Sequence, residues 1–169
     1  MPRPAGQQEL ALGHATQAYE LAERIGDAFS RIFALYSLGC ARIMVGEASE
    51  AVIALERSIE LGREARTALE QEALRVSALS EALLSAGNCA RALEAAEESV
   101  QLARERGNEG MLAICYRVLA EALLASDEPG KVAAAQEALD KATAAAEATG
   151  FRSELPFIER ARGNLVPVG

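Results

Sequence analysis

Apolar residues recur along this chain every three or four positions, in stretches of helical length with charged residues between them. That spacing belongs to amphipathic α-helices, whose 3.6-residue turn gathers such positions onto one stripe. Four dipeptides, Gly26-Asp27, Gly46-Glu47, Gly87-Asn88 and Gly107-Asn108, each close one of these stretches, as a left-handed glycine does at a helix C-terminus. Proline, the strongest helix breaker, stands only at positions 2, 4, 129, 156 and 167. The pattern between these marks predicts helices over 7–25, 28–45, 48–65, 68–86, 89–106, 109–126, 131–149 and 154–162. Loops of a few residues force such helices to run antiparallel to their neighbours, so the elements pair as hairpins. Residues 7–163 then make one domain, with disordered ends at 1–6 and 164–169.

The hairpins repeat. Segment 37–61, SLGCARIMVGEASEAVIALERSIEL, aligns with 78–102, setting Leu38 over Leu79, Ala41 over Ala82, Gly46 over Gly87 and Ala51 over Ala92, at one constant offset of 41. Segment 118–144 continues the series at offsets of 40 to 43, its extra residues falling in the turn SDEPG, where insertion costs little. Ala11 precedes Ala51 by nearly the same offset, so 11–27 matches only the second helix of the unit. The chain thus holds one N-terminal orphan helix, three helix pairs and a short closing helix.

Composition sharpens this at one point. About one residue in five is alanine, while aromatics make up 4% and tryptophan is absent. The small residues fall into rows: Gly39, Ser80 and Ala120 on the first helix of each pair, with Leu38, Leu79 and Leu119 beside them. Ala11, Ala51, Ala92 and Ala135 form a row on the second helix, and Ala18, Ser58, Ser99 and Ala142 another. Small groups at fixed positions let helix axes approach closely, so these rows are the expected seams of the stack.

A formal net charge of −8 has the wrong sign for displacing counterions from phosphate, which argues against nucleic acid and anionic membrane surfaces as partners. The start MPRPAGQQEL has no apolar core of signal-peptide type, and no uninterrupted apolar run approaches about 18 residues, so a cytoplasmic location is expected. Cys40, Cys89 and Cys115 are widely spaced and His14 is the lone histidine, which points away from a disulfide framework or a metal site. No glycine-rich phosphate loop and no nucleophile–base pair is present, and the acid pairs Glu97-Glu98 and Glu56/Glu60 belong to solvated faces. Neither catalysis nor a cofactor is expected.

The spacing L-G-x-A-x-x-x-x-G-x-x-x-x-A, unbroken as Leu38, Gly39, Ala41, Gly46 and Ala51, resembles the tetratricopeptide repeat (TPR). The second copy has Ser80 for the glycine, the third loses the turn spacing, and the period exceeds the usual ~34 residues, so the likeness is to long-repeat members. Segments LAERIGDAFSRIFALYSLG and LARERGNEGMLAICYRVLA resemble repeat arms of bacterial multi-domain signalling proteins. The resemblance implies an all-α, right-handed solenoid of antiparallel helix hairpins, about three repeats with an N-terminal orphan helix and a C-terminal capping helix, used for protein–protein interaction. It also implies that the first helix of each pair lines a concave groove. The matching positions are Phe33, Tyr36, Cys40 and Ile43, then Leu74, Ser77, Glu81 and Leu84, then Ile114, Arg117, Glu121 and Leu124.

A partner peptide or helix is expected to place an apolar side chain near Phe33 and Tyr36 and a basic one at Glu81 or Glu121. These two acids would repel a carboxylate, which disfavours a chaperone-tail clamp. Alternatively, Phe33 and Tyr36 pack on helix 7–25 or the neighbouring pair. A second role is self-association, or service as a regulatory arm of a larger regulator, with a homodimer formed through Leu10, Leu12, Tyr19 and Leu21 on the uncovered flank of the orphan helix. The start of the chain folding back over that flank is the competing arrangement. At the far end, ELPFIERARG is expected to turn Leu155, Phe157 and Ile158 inward as a cap.

Overall fold

The computed structural model describes residues 5–165. Eight α-helices occupy this span: α1 (Ala5–Ile25), α2 (Ala28–Val45), α3 (Ala48–Ala65), α4 (Glu72–Ser85), α5 (Cys89–Glu105), α6 (Glu109–Ala125), α7 (Lys131–Thr149) and α8 (Leu155–Gly163). Short 3-10 turns, Leu69–Gln71 and Arg152–Glu154, precede α4 and α8. Ala5 and Gly6 already belong to α1; positions 1–4 and 166–169 of the expected disordered ends lie outside the described residues.

The glycine dipeptides act twice. Gly26, Gly46, Gly87 and Gly107 take φ of 80, 84, 77 and 63°, the left-handed region that ends a helix. In three of the four, the following residue caps the next helix: Asp27 accepts from the Ser30 N–H at 2.8 Å, Asn88 from Arg91 and Asn108 from Met111. The α3–α4 connection departs from this rule. It has no glycine, and Arg66 (φ 50°) and Ala68 (φ 53°) take the left-handed conformation instead. The 3-10 turn that follows delays α4 to Glu72, so the helix expected from 68 starts four residues later.

Each helix packs on the next in sequence, and α2, α4, α6 and α8 also touch the next member of their own set. The even-numbered helices therefore form a continuous layer. The order of buried and half-buried positions over 71–82 recurs unchanged over 111–122, so the sequence repeat is a repeat of environment. Ala51, Ala92, Ala135, Ser58, Ser99 and Ala142 are wholly buried, as seam residues should be. Ser58 Oγ donates to the Ile32 carbonyl of α2 at 2.7 Å, and Ser80 Oγ to the Ala92 carbonyl of α5 at 2.7 Å. Gly39 marks the closest approach, since a Cβ there would stand 2.5 Å from Leu55 Cγ. Ala18, the α1 member of its row, is exposed.

One reading is qualified here and one is corrected. By length and composition α2 is apolar enough to cross a membrane, despite Arg31 and Arg42. It packs against α1, α3 and α4, with Ile32, Leu35 and Leu38 buried. At the far end, Ile158 is wholly buried and Leu155 half-buried, but Phe157 points outward, 45% exposed, with the Arg160 guanidinium 5.7 Å from its ring centre. Around the helix Phe157 lies about 100° from Ile158 and about 160° from Leu155, so it falls off the inward stripe that those two define.

Candidate partner-binding face

All twelve positions expected to line a groove lie on α2, α4 and α6, three members of the continuous layer. Ten are half-buried, while Ser77 and Arg117 are buried, so these two do not present a free side chain. On α2, Phe33 packs with Tyr19 over Ile32, Leu35 and Leu61, its ring tilted against Phe29 at 4.7 Å. Phe33 thus serves the core shared by α1, α2 and α3. Tyr36, Cys40 and Ile43 rest on Ala51, Leu55, Ala78 and Ala82 and border α4. Leu84 and Leu124 likewise pack onto buried cores.

The polar centre of the face is Arg117. Its guanidinium reaches Glu81 of α4 at 2.8 Å, Glu121 one turn along α6 at 3.0 Å, and Glu154 of the turn before α8. Burial alone would ease the proton off Arg117, but three carboxylates outweigh it and hold the guanidinium firmly protonated. The Glu121 carboxyl is pushed upward, first by burial and also by the nearby Glu81 charge, against the pull of Arg117. Glu81 and Glu121 are therefore already engaged within the chain, which corrects the picture of two acids free to await a partner's base. Three carboxylates still pair with the one guanidinium of Arg117, the Arg160 charge acting in addition at Glu121, and the side chain of Glu81 remains 34% exposed. Facing Glu81 from α2, the Cys40 thiol is pushed up to about 11, chiefly by burial, and the Tyr36 phenol is raised for the same reason.

Beside this cluster lies an apolar depression of about 420 Å³, lined by Leu74, Gly110, Met111, Ile114, Thr149, Gly150 and Phe151. Leu74 and Ile114 are among the expected groove residues, whereas Met111, Phe151 and Glu154 are not. Phe151 comes from the α7–α8 connection and Glu154 from its end, where the sequence predicts the start of the closing helix with its charges outward, and no spacing signal places either on this face.

A second ionic group lies where α3, α4 and α5 meet. Glu72, 3% exposed, accepts from Arg63 at 2.5 Å and from Arg106 at 2.6 Å. Burial would raise its carboxyl, but these two cations hold it below the usual carboxylate range. Arg75 is buried nearby, 1% exposed, and donates to the Ala68 carbonyl at 3.0 Å, while its Nε and Nη1 find no hydrogen-bond partner among the described residues. Among the described residues, no three His, Cys, Asp or Glu side chains gather closely enough to hold a metal ion.

Of the residues expected to support self-association, Leu10 and Leu21 are exposed, but Leu12 and Tyr19 are half-buried against Ala15, Leu38 and Ala41. The latter two belong to the α1–α2 seam and are not available on the outer surface.

The family model described as anaphase-promoting complex subunit 5 matches residues 24–69 and again residues 65–127. The chain belongs to this family. The two matches begin at positions 24 and 65, the same offset that superposes Leu38 on Leu79, so the anaphase-promoting complex subunit 5 model meets the helical, TPR-like repeat of this chain twice in succession. Glu81, Arg117 and Glu121 fall within these matches, while Glu154 and Phe151 lie beyond them. No curated protein matches the chain.

Proposed function

We propose that this chain is a non-catalytic interaction module, a right-handed solenoid of long TPR-type hairpins working in the cytoplasm, which takes a peptide or helix of a partner protein on its α2–α4–α6 face. The observation that carries the reading is the apolar depression at Leu74, Met111, Ile114 and Phe151 lying next to a cluster where three carboxylates share one guanidinium. An apolar side chain enters the depression, and a basic one is drawn to the uncompensated charge at Glu81. Leu74 and Glu81 are two helical turns apart, about 10 Å, which an extended peptide covers in about three residues. The apolar anchor thus sits at the α4–α6 end of the face, with Tyr36 and Cys40 as the other wall of the acidic end. A family described as a subunit of a complex supports a role in binding other proteins.

The test is phage selection on the immobilised chain from a random peptide library. Enriched sequences should share an apolar residue and a Lys or Arg about three positions apart, and their binding should fall at least tenfold in Ile114→Asp and in Glu81→Gln, both verified as folded by circular dichroism. Absence of enrichment, or binding untouched by both substitutions, would falsify the assignment of this face.

A further inference from the structure

One ion pair of the repeat is not carried on between α5 and α7. At the preceding step, Arg91 in the first turn of α5 reaches Glu56 of α3 at 2.5 Å. The register that sets Ala51 over Ala92 and Ala92 over Ala135 carries this pair forward to Glu97 on α5 and position 134 on α7. Burial fixes that register on both helices. Ser58 and Ser99, two residues beyond each glutamate, are wholly buried, and so are Ala92 and Ala135, next to Arg91 and to position 134. The glutamate is kept at 97, but alanine stands at 134 where the earlier repeat has its arginine, and both residues are exposed.

Glu97 and Ala134 border one cavity of about 720 Å³, floored by Leu93 of α5 and Leu123 of α6. Leu123 is half-buried, whereas its counterpart one repeat earlier, Leu83, is 2% exposed, so the core edge is open where arginine gives way to alanine. The rim is acidic. Glu94 joins Glu97 from α5, and the longer α6–α7 turn adds Asp127 and Glu128. These four carboxylates form no ion pair among the described residues. Lys131, a cation on the cavity wall, donates to the Ser126 carbonyl at the end of α6 at 2.6 Å.

We propose that this cavity is a second docking surface, which takes an arginine side chain from a segment of a partner protein in the place that Arg91 fills one repeat earlier. A guanidinium there pairs with Glu97 as Arg91 does with Glu56, and the surplus of carboxylates on a chain of net charge −8 favours its approach. The methylene stem of the arginine lies on Leu93 and Leu123, since long cationic side chains cover apolar surface while their charge stays in water. The volume leaves room for the residues beside the arginine, which is why a chain segment fits better than a lone small cation. This surface is separate from the depression at Leu74 and the acidic edge at Glu81, so either can fail alone.

Titration of the isotopically labelled chain with acetyl-Leu-Arg-Leu amide, up to about 5 mM, should shift the amide resonances of Leu93, Glu97, Leu123 and Ser126. The same peptide with citrulline, which keeps the shape of arginine without its charge, should bind there at least tenfold more weakly. Glu97→Gln should weaken the binding of the arginine peptide, and Ala134→Arg, which supplies the guanidinium from within the chain, should abolish it, both variants keeping the helical circular dichroism. Glu147→Gln, at an exposed acid near the far end of α7, should leave it unchanged. Equal binding of the two peptides, shifts confined to the Glu81 and Glu121 resonances, no shift over the whole range, or cavity binding that survives Ala134→Arg would each overturn the proposal.

Discussion

The seam between Gly39 and Leu55 permits a quantitative test of how these helices pack. A methyl group at position 39 would stand 2.5 Å from Leu55 Cγ and 2.9 and 3.2 Å from its two methyl carbons. Leu55 is wholly buried, and a Cγ, unlike a side-chain tip, cannot withdraw without moving α3. Two effects then compete in Gly39→Ala. Alanine replaces glycine inside a helix with a gain of about 1 kcal/mol, while overpacking a filled core costs about 1–3 kcal/mol. The branch-carbon clash favours the upper half of that range, so the net loss should be about 1–2 kcal/mol. In a Leu55→Ala background, itself costing about 2–5 kcal/mol, the added methyl meets space and only the helix-propensity gain remains. The same substitution should there stabilise by about 1 kcal/mol, a coupling of about 2–3 kcal/mol measurable by urea denaturation of the four-protein cycle. The chain performs a related exchange itself: one repeat further on, Ser80 stands in for Gly39 and Ala96 for Leu55. Should Gly39→Ala stabilise equally in both backgrounds, close approach would not be why glycine occupies this site.

Other consequences concern the buried charges. Because Arg63 and Arg106 hold the Glu72 carboxyl below its ordinary 4.5, its stabilisation is complete above the unfolded-state value and disappears as pH falls through the lower folded-state value. Glu72→Gln should therefore cost about 1–3 kcal/mol at pH 7 and progressively less as the pH falls below the ordinary carboxylate range; a cost independent of pH in thermal melts would refute the ionic account. Among the described residues Arg75 makes a single hydrogen bond and leaves two nitrogens unpaired, and burial pushes its guanidinium downward from the normal value. Arg75→Met keeps the volume and removes the stranded donors, so the variant should be at least as stable as the parent, and a drop in Tm beyond about 4 °C would count against it.

Helix boundaries were legible because their punctuation is local. A glycine that can turn left-handed, followed by Asp or Asn that can accept an N–H, signals one stop and one start within two residues, and Gly26-Asp27, Gly87-Asn88 and Gly107-Asn108 do both. The late start of α4 was hidden because nothing local announces it. Arg66 and Ala68 turn left-handed without glycine, and the Ala68 carbonyl is held by Arg75 from the helix beyond the turn. The seams could be read because a repeat assigns one environment to one register, which is why Ala51, Ala92 and Ala135 are buried alike. The same reasoning misplaces Ala18, whose register matches the buried rows but which no neighbouring helix among the described residues covers.

Chemistry on the α2–α4–α6 face was legible only in part, because helical register identifies which side chains share a face and says little about which of them meet. Glu81, Arg117 and Glu121 are recognisable as groove positions, but their union depends on α4 touching α6, and the third carboxylate arrives from Glu154 in a connection outside the repeat. That fourth participant changes the physics of recognition. With Glu81 and Glu121, Arg117 already faces more acid than it can neutralise; Glu154 adds a third carboxylate that locks the cation in place, while the Arg160 charge is felt at Glu121. A partner's base then does not have to displace Arg117, since the uncompensated field of the cluster attracts it at the exposed edge of Glu81. Attraction of this kind acts through partly solvated space and weakens as added salt shortens the Debye length, whereas filling the depression at Leu74, Ile114 and Phe151 does not. Orientation of a bound segment would thus come from charge, and its residence from the apolar anchor.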